Sequence, residues 1–270
     1  MRVSVIISTY NNPQWLEKVL HGFRFQTWTD FELVIADDGS GPETRSLIDR
    51  FRAESGLSVI HTWQSDEGFQ KSRILNKAIL DSTTDYLIFT DGDCIPRKDF
   101  VEVHVRAAET GRFLSGGYFM LPMETSMSIT LQDIGNGKAF DVDWLVAHGL
   151  RPTFRTLKLT SRGWKQKFLN FITPTRPTWN GHNASGWKKD LVAVNGFNED
   201  MKYGGQDREL GERLVNLGIR GKQIRYSAVC IHLDHKRSYK TAESIRFNRA
   251  IRSETRRTRR VRTSAGITKE

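Results

Sequence analysis

Two carboxylates one residue apart, Asp91 and Asp93, stand at the end of an apolar run in Asp85-Tyr-Leu-Ile-Phe-Thr-Asp-Gly-Asp-Cys-Ile-Pro96. Tyr86 to Phe89 reads as a strand buried on both faces. The carboxyl end of such a strand is where open α/β sheets bind their ligands. Paired hard oxygen donors there suit Mg²⁺ or Mn²⁺ holding a diphosphate. Asp-Gly is also ordinary turn chemistry, so the tripeptide alone allows a solvated turn. Two more apolar runs close in the same way, Phe31 to Ala36 in Asp37-Asp38 and Val3 to Ile7 in Ser8-Thr9. Three polar strand ends at one edge of one sheet make a site.

The elements that must position these groups follow from periodicity. Pro13 opens a helix, where its missing N–H costs nothing, and Leu16, Val19, Leu20 and Phe23 recur at helical spacing. Helices are also predicted over Pro42–Glu54, Phe69–Leu80 and Phe100–Ala108, and strands over Leu57–Thr62, Phe113–Met120 and Ile224–Ile231. The alternation predicts an α/β fold, Rossmann-like, with a mostly parallel central sheet and flanking helices.

The pieces Ser4-Val-Ile-Ile-Ser-Thr-Tyr-Asn11, Asp37-Asp-Gly-Ser40, Gly68 followed by Arg73-Ile-Leu-Asn76-Lys-Ala, and Asp91-Gly-Asp93 come in that order. With them, residues 3–96 resemble the nucleotide-binding half of a GT-A glycosyltransferase of family 2. The resemblance implies the GT-A fold, that of the nucleotide-diphospho-sugar transferases. Thr9 and Tyr10 would line a uracil pocket, and Asp38 would hold the base or ribose. Gly68 and Arg73 would approach the diphosphate, where a guanidinium forks onto phosphate oxygens. Asp91 would contact the ribose and Asp93 the metal, Mn²⁺ or Mg²⁺. Asn76 belongs to the same motif and equally suits a structural role in its helix. Ser115-Gly116-Gly117 would let a sugar approach the backbone.

Further on, Trp179-Asn-Gly-His-Asn-Ala-Ser185 precedes a short helix over Lys188–Val192, then Asn195-Gly-Phe197 and Tyr203-Gly-Gly-Gln-Asp207. Leu210, Leu214 and Leu217 mark a helix stopped by Gly218. Asp207 falls in its first turn, where the macrodipole favours a carboxylate and where a plain cap is also common. This block resembles the carboxy-terminal module of β-1,4-galactosyltransferases and chondroitin-type polymerising transferases. That resemblance makes Asp207 the general base, and Gly205, Gln206 and Asn183 acceptor-binding residues. Gln206 departs from the Glu usual there, which bears on acceptor choice and on activity itself. His232 and His235, three apart after a buried strand, are candidate metal ligands. By the same resemblance they complete the site begun by Asp93, with Asp93, His235 and His232 preferred in that order.

Composition bounds the rest. The hydrophobic share is 38% and the aromatic share 10%, as in a globular chain. Cys94 and Cys230 show neither zinc spacing nor a disulfide framework, which predicts a reducing compartment. Without an export signal or an apolar run long enough to span a bilayer, the expected place is the cytoplasm. Of the +10 net charge, +9 lies in 236–262. We therefore expect residues 1–120 to form a nucleotide-sugar half, 121–235 an acceptor and catalytic half of the same domain, and 236–270 a basic helical tail.

That tail is either a solvated helix or an amphipathic one drawn to an anionic membrane surface, making the protein peripheral on the cytoplasmic face. No nucleic-acid motif accompanies its charge, so no nucleic-acid partner is expected. The segment 122–178 has weak periodicity. In it Trp164, Phe168, Leu169, Phe171 and Ile172 lie among Lys165 and Lys167, fitting a membrane-touching or acceptor-covering helix as well as a core-packing one. The function expected is an inverting, metal-dependent transfer from a UDP-sugar to a glycan or lipid-linked glycan. The competing readings are a noncatalytic nucleotide-sugar-binding relative and, more remotely, a nucleic-acid-binding protein.

Overall fold

The computed structural model describes residues 1–235 and 240–269. Strands β1 (Val3–Thr9), β2 (Phe31–Asp37), β3 (Ser58–Trp63) and β4 (Tyr86–Asp91) alternate with helices α1 (Pro13–Phe23), α2 (Pro42–Ser55) and α3 (Lys71–Asp81). Next come β5 (Cys94–Pro96), α4 (Phe100–Ala107), β6 (Arg112–Ser115) and β7 (Gly117–Met120). Five short helices fill the following stretch: α5 (Met123–Ser128), α6 (Leu131–Gly135), α7 (Val142–Ala147), α8 (Leu157–Thr160) and α9 (Trp164–Ile172). The chain finishes with β8 (Ala184–Trp187), α10 (Lys188–Ala193), α11 (Gln206–Asn216), β9 (Arg220–Gln223), β10 (Val229–His232) and α12 (Ala242–Thr258).

The main sheet has the order β3-β2-β1-β4-β8-β6-β9, parallel except for β8, which runs antiparallel to both β4 and β6. Its inner strands β1, β2 and β4 are buried on both faces, as expected where helices cover both sides. Val3, Val5 and Ile7 of β1 pack with α1, α2 and α4, while Ile6 packs with α3, α10 and α11. All four side chains are inaccessible to solvent, each contributing about 1.5–3 kcal/mol by burial. A smaller sheet, β5-β10-β7, lies beside it.

The single strand expected over 113–120 is two. The chain leaves the main sheet after Ser115 and joins the small sheet at Gly117. A Cβ on Gly116 would lie 1.9 Å from Asn183 Oδ1, so the crossing needs glycine. The strand expected over 224–231 begins only at Val229, because 224–228 form a turn closed by the Ala228 N–H donating to the Ile224 carbonyl at 2.9 Å.

The basic end is not a detached tail. Ser244, Asn248 and Thr255 of α12 are buried, and Arg252 pairs with Glu212 of α11 at 2.5 Å. Beyond α12, Asn195 Nδ2 donates to the Thr263 and Thr268 carbonyls at 2.7 and 2.8 Å. Polar side chains thus face the body here, while Phe247 of the same helix is 52% exposed. The first residues of the expected tail, 236–239, and Glu270 lie outside the described residues.

The core-packing alternative for α9 is also corrected. None of its residues is buried, and Trp164 and Phe171 are 72% and 87% exposed. No helix among the described residues is long and apolar enough to cross a membrane.

Candidate active site

Strand register sets the site. Thr9 pairs across from Asp37, and Ser8 from Asp91, so three strand ends lie level. Asp37 is structural, accepting the Ser40 N–H at 2.8 Å and lying 3.0 Å from His61 Nε2. That fixed turn presents Asp38, which accepts from Gln64 Nε2 at 2.7 Å and the Gln70 N–H at 2.9 Å. Burial raises the Asp38 carboxyl to about 6 against the pull of those two bonds. Gln64 Oε1 is buried without a hydrogen-bond partner among the described residues. Thr9 closes this wall, its carbonyl accepting the Asp38 N–H at 3.0 Å. Tyr10 lies at the rim, 48% exposed, donating to Asp66 at 2.8 Å. Gly68, at φ +79°, has open space where a side chain would be.

Asp91 accepts from Ser8 Oγ at 2.7 Å and Lys71 Nζ at 2.6 Å. Burial pushes its carboxyl up, but the Lys71 ammonium outweighs this and holds it well below the usual carboxylate range. Lys71 also acts on Asp207 and Asp93 and is itself held charged by the three carboxylates. Arg73, expected toward the diphosphate, is not in this cluster: it pairs with Glu67 at 2.9 Å and is 43% exposed. Two residues earlier on α3, Lys71 occupies the inward position. Asn76 is structural, its amide exchanging hydrogen bonds with the Phe197 backbone at 2.9 and 2.7 Å.

Asp93, His232 and His235 converge. Asp93 Oδ2 lies 2.9 Å from His235 Nε2, and Oδ1 lies 3.8 Å from His232 Nε2. His232 Nδ1 donates to the Leu233 carbonyl at 2.9 Å, which leaves Nε2 with its lone pair facing Asp93. One carboxylate and two imidazoles fit a divalent transition ion such as Mn²⁺. The Cys94 sulfur lies within 4.8 Å of the ligand atoms of Asp93 and His232. Burial pushes its thiol well up, and it donates to Asp93 at 3.4 Å. Both cysteines are free.

Asp207 enters from the other half, in the first turn of α11. Burial raises its carboxyl, with Lys71 opposing and Asp91 adding to the rise. Its Oδ1 is buried without a hydrogen-bond partner among the described residues. Gly181 leaves the room, since a Cβ there would stand 2.7 Å from that oxygen. His182 lies between the carboxylates and the ring of Tyr118, 4.5 Å away. Burial lowers it to about 4, so it is neutral at pH 7.

Two expected acceptor contacts are corrected. Asn183 is inaccessible to solvent: its Nδ2 donates to the Gly117 and Ala228 carbonyls at 2.7 and 3.1 Å, and its Oδ1 lies 2.9 Å from His104 Nε2. With every polar atom satisfied inside the fold, it ties the two sheets together. Gln206 is 4% exposed and its Oε1 accepts the Gly204 N–H at 3.0 Å, so it closes its own loop. Gly205, at φ +99°, forms the turn into α11 and lies against Arg252 of α12.

Lys71, Gln64 and His182 belong to the site although sequence reasoning gave them no role. Lys71 lies two residues before the Arg of the motif, and His182 lies within Trp-Asn-Gly-His. Gln64 carries no signal in its own neighbourhood.

Carboxylates, a partly buried lysine and two imidazoles gather at the strand ends of a mostly parallel sheet in an α/β fold. Residues 4–133 match the family model described as glycosyl transferase family 2. The chain is 27% identical to the uncharacterized glycosyltransferase YfnE of Bacillus subtilis, over 92% of this chain and 69% of YfnE. The fold is similar to that of the mannosyltransferase PcManGT from Pyrobaculum calidifontis in complex with GDP-Man and Mn²⁺. Identity there is 21% and the TM-score 0.60, over 92% of this chain and 61% of that one. It is also similar to S. aureus TarS 1–349 in complex with UDP-GlcNAc, 15% identical with a TM-score of 0.60, over 93% and 66% of the two chains. The chain thus spans about two thirds of the length of these proteins. Residues 4–133, just under half of the chain, thus match glycosyl transferase family 2, and the fold is similar to that of these transferase structures.

Proposed function

We propose that this enzyme transfers a sugar from a nucleotide sugar, a UDP-sugar, to a glycan or lipid-linked glycan acceptor with inversion at the anomeric carbon. The observation that carries the reading is Asp207: a buried carboxylate with an unpartnered oxygen and a raised pKa, beside the Lys71–Asp91 pair at the strand ends. A carboxyl raised above its ordinary range by burial is suited to accepting a proton.

Asp207 takes the proton of an acceptor hydroxyl as that oxygen attacks the anomeric carbon from the face opposite the diphosphate. The new glycosidic C–O bond forms while the bond to the diphosphate oxygen breaks. A divalent ion held by Asp93, His232 and His235 would neutralise charge on the leaving diphosphate. Asp38 and Gln64 would take the nucleobase or ribose, with Thr9, Tyr10 and Gly68 around them. Asp91, fixed by Lys71 and Ser8, would accept from a ribose hydroxyl.

Exposed Trp164, Phe168 and Phe171 on α9, interleaved with Lys165 and Lys167, support contact with a membrane surface carrying a lipid-linked acceptor. The direct test is calorimetric binding and slow donor hydrolysis over a panel of nucleotide sugars, with Mn²⁺ and with chelator. Metal-dependent binding of one UDP-sugar is the expected result. Failure of every nucleotide sugar to bind would end the reading.

A further inference from the structure

A cleft of about 1090 Å³ opens beside His182, walled by β7, the stretch 149–158, residues 175–180 and the turn after β9. Its size is at the upper end of the range for ligand pockets, about 300–1,000 Å³. Its charge is one-sided. Arg151, Arg155, Lys158, Arg176, Arg208 and Arg225 line it, and no Asp or Glu does. The surface arginines Arg50, Arg106, Arg112 and Arg257 all have carboxylate partners within 2.9 Å. None of the six cleft cations takes part in the ion pairs among the described residues. Lys158 shows the cost of this crowding: burial, then Arg225 and Arg155, bring its ammonium down to about 8. Its Nζ donates to the Tyr118 carbonyl at 3.0 Å and lies 5.4 Å from the centre of the Tyr118 ring.

A cleft walled by uncompensated charge of one sign focuses its field on a ligand of the other sign. The cleft meets the base at two points, Arg208 next to Asp207 and His182 next to Gly181, so its occupant would be the molecule whose hydroxyl Asp207 deprotonates. Resting on the transferase reading above, we propose that the acceptor is anionic, a glycan or polyol chain bearing phosphate or carboxylate groups gripped by this cationic cleft. Guanidinium groups fork onto both kinds of oxyanion, and Thr153, Thr175 and Asn180 add neutral hydrogen-bonding groups for hydroxyls.

The test uses the full chain loaded with Mn²⁺ and UDP, with three oligomers of equal length as probes: a poly(glycerol phosphate), a hexuronate and a neutral glucan. The expected result is that an anionic probe binds at least tenfold tighter than the glucan and weakens as salt rises. The exposed-residue variant R155Q/R176Q should lose that preference while holding UDP within twofold of wild type. Comparison of the two anionic probes tells phosphate from carboxylate. Equal binding of glucan and anions overturns the proposal. So does a loss of UDP affinity in R155Q/R176Q, because the cations would then serve the donor. Failure of UDP to bind wild-type enzyme instead sinks the transferase reading, a separate result from loss of anion preference with UDP binding intact.

Discussion

Lys71 Nζ lies 2.6 Å from Asp91 Oδ1, and the same ammonium also bears on Asp207 and Asp93. One cation therefore bears on a whole carboxylate cluster. The side chains are only 18% and 20% exposed, so each would be stranded without the other. Breaking such a pair costs about 3–5 kcal/mol when buried, and this partly wetted one falls at or below the low end. Lys71→Met is expected to lower the denaturant midpoint accordingly and to raise the acid limb of the rate profile. The sign follows from linkage. The depressed Asp91 stabilises the fold above the unfolded carboxylate pKa, about 4, and is lost as pH falls further. The raised Lys71 stabilises it below the unfolded lysine pKa, about 10.4, and is lost as pH rises through the folded value. Stability measured against pH in both proteins checks this, and equal curves would remove Lys71 from the cluster.

Asp207→Asn keeps shape and loses the base. Turnover is expected to fall about 10²–10⁴-fold with nucleotide binding unchanged. In wild type the acid limb of kcat should lie above the ordinary carboxylate range, because burial raises this group. Rates at the optimum and a calorimetric titration with UDP decide it, and full activity in the variant would mean another base.

Gly181→Ala tests the same group through space. The added methyl would stand 2.7 Å from Asp207 Oδ1 and push the carboxylate away. The expected outcome is a fall in kcat of tenfold or more with a folded protein, read by kinetics beside a melting curve. Unchanged kcat would show that the position of Asp207 is not critical.

Metal removal separates the histidines from the base. Chelator, Asp93→Ala and His235→Ala should each abolish metal-dependent nucleotide binding, whereas Asp207→Asn should retain it. His232→Gln is expected to weaken Mn²⁺ about 10–100-fold. Titration of Mn²⁺ into the UDP complex of each variant provides the measurement.

Asp38 gives a pH signature to donor binding. Its carboxyl is raised to about 6, so the acceptor form is lost as pH drops below that value. Donor affinity should fall between pH 7 and 5 in wild type and stay flat in Asp38→Asn. A flat wild-type profile would exclude Asp38 from contact with the nucleotide.

How much of this was legible beforehand differs by element. The runs at Val3–Ile7, Phe31–Ala36 and Tyr86–Phe89 mark parallel strands buried on both faces, because only continuous apolar residues satisfy such a position. Their polar ends and the His232/His235 spacing were equally plain, since strand ends and short spacings are local properties. The break at Gly116 was not, because Ser115-Gly-Gly-Tyr looks continuous until Asn183 is known to fill the space beside it. Strand β8, Ala-Ser-Gly-Trp, was missed because it carries no β-branched residue and is held as a strand by β4 and β6 on either side.

The sequence by itself determined the alternation of strands and helices from β1 to β4, the family likeness of residues 3–96, and which carboxylates and histidines were candidates: Asp91, Asp93, Asp207, His232 and His235. All of these rest on residue type and short-range spacing. Tertiary structure alone decided which cation enters the carboxylate cluster, for Lys71 and Arg73 differ only in the direction they take from α3. It decided that Asn183 and Gln206 face inward, that the basic end packs on α11, and that six cations scattered from Arg151 to Arg225 wall one cleft. The physical reason is the same each time. Burial and partnership are properties of residues distant in the chain, and charge acts through space rather than along the backbone.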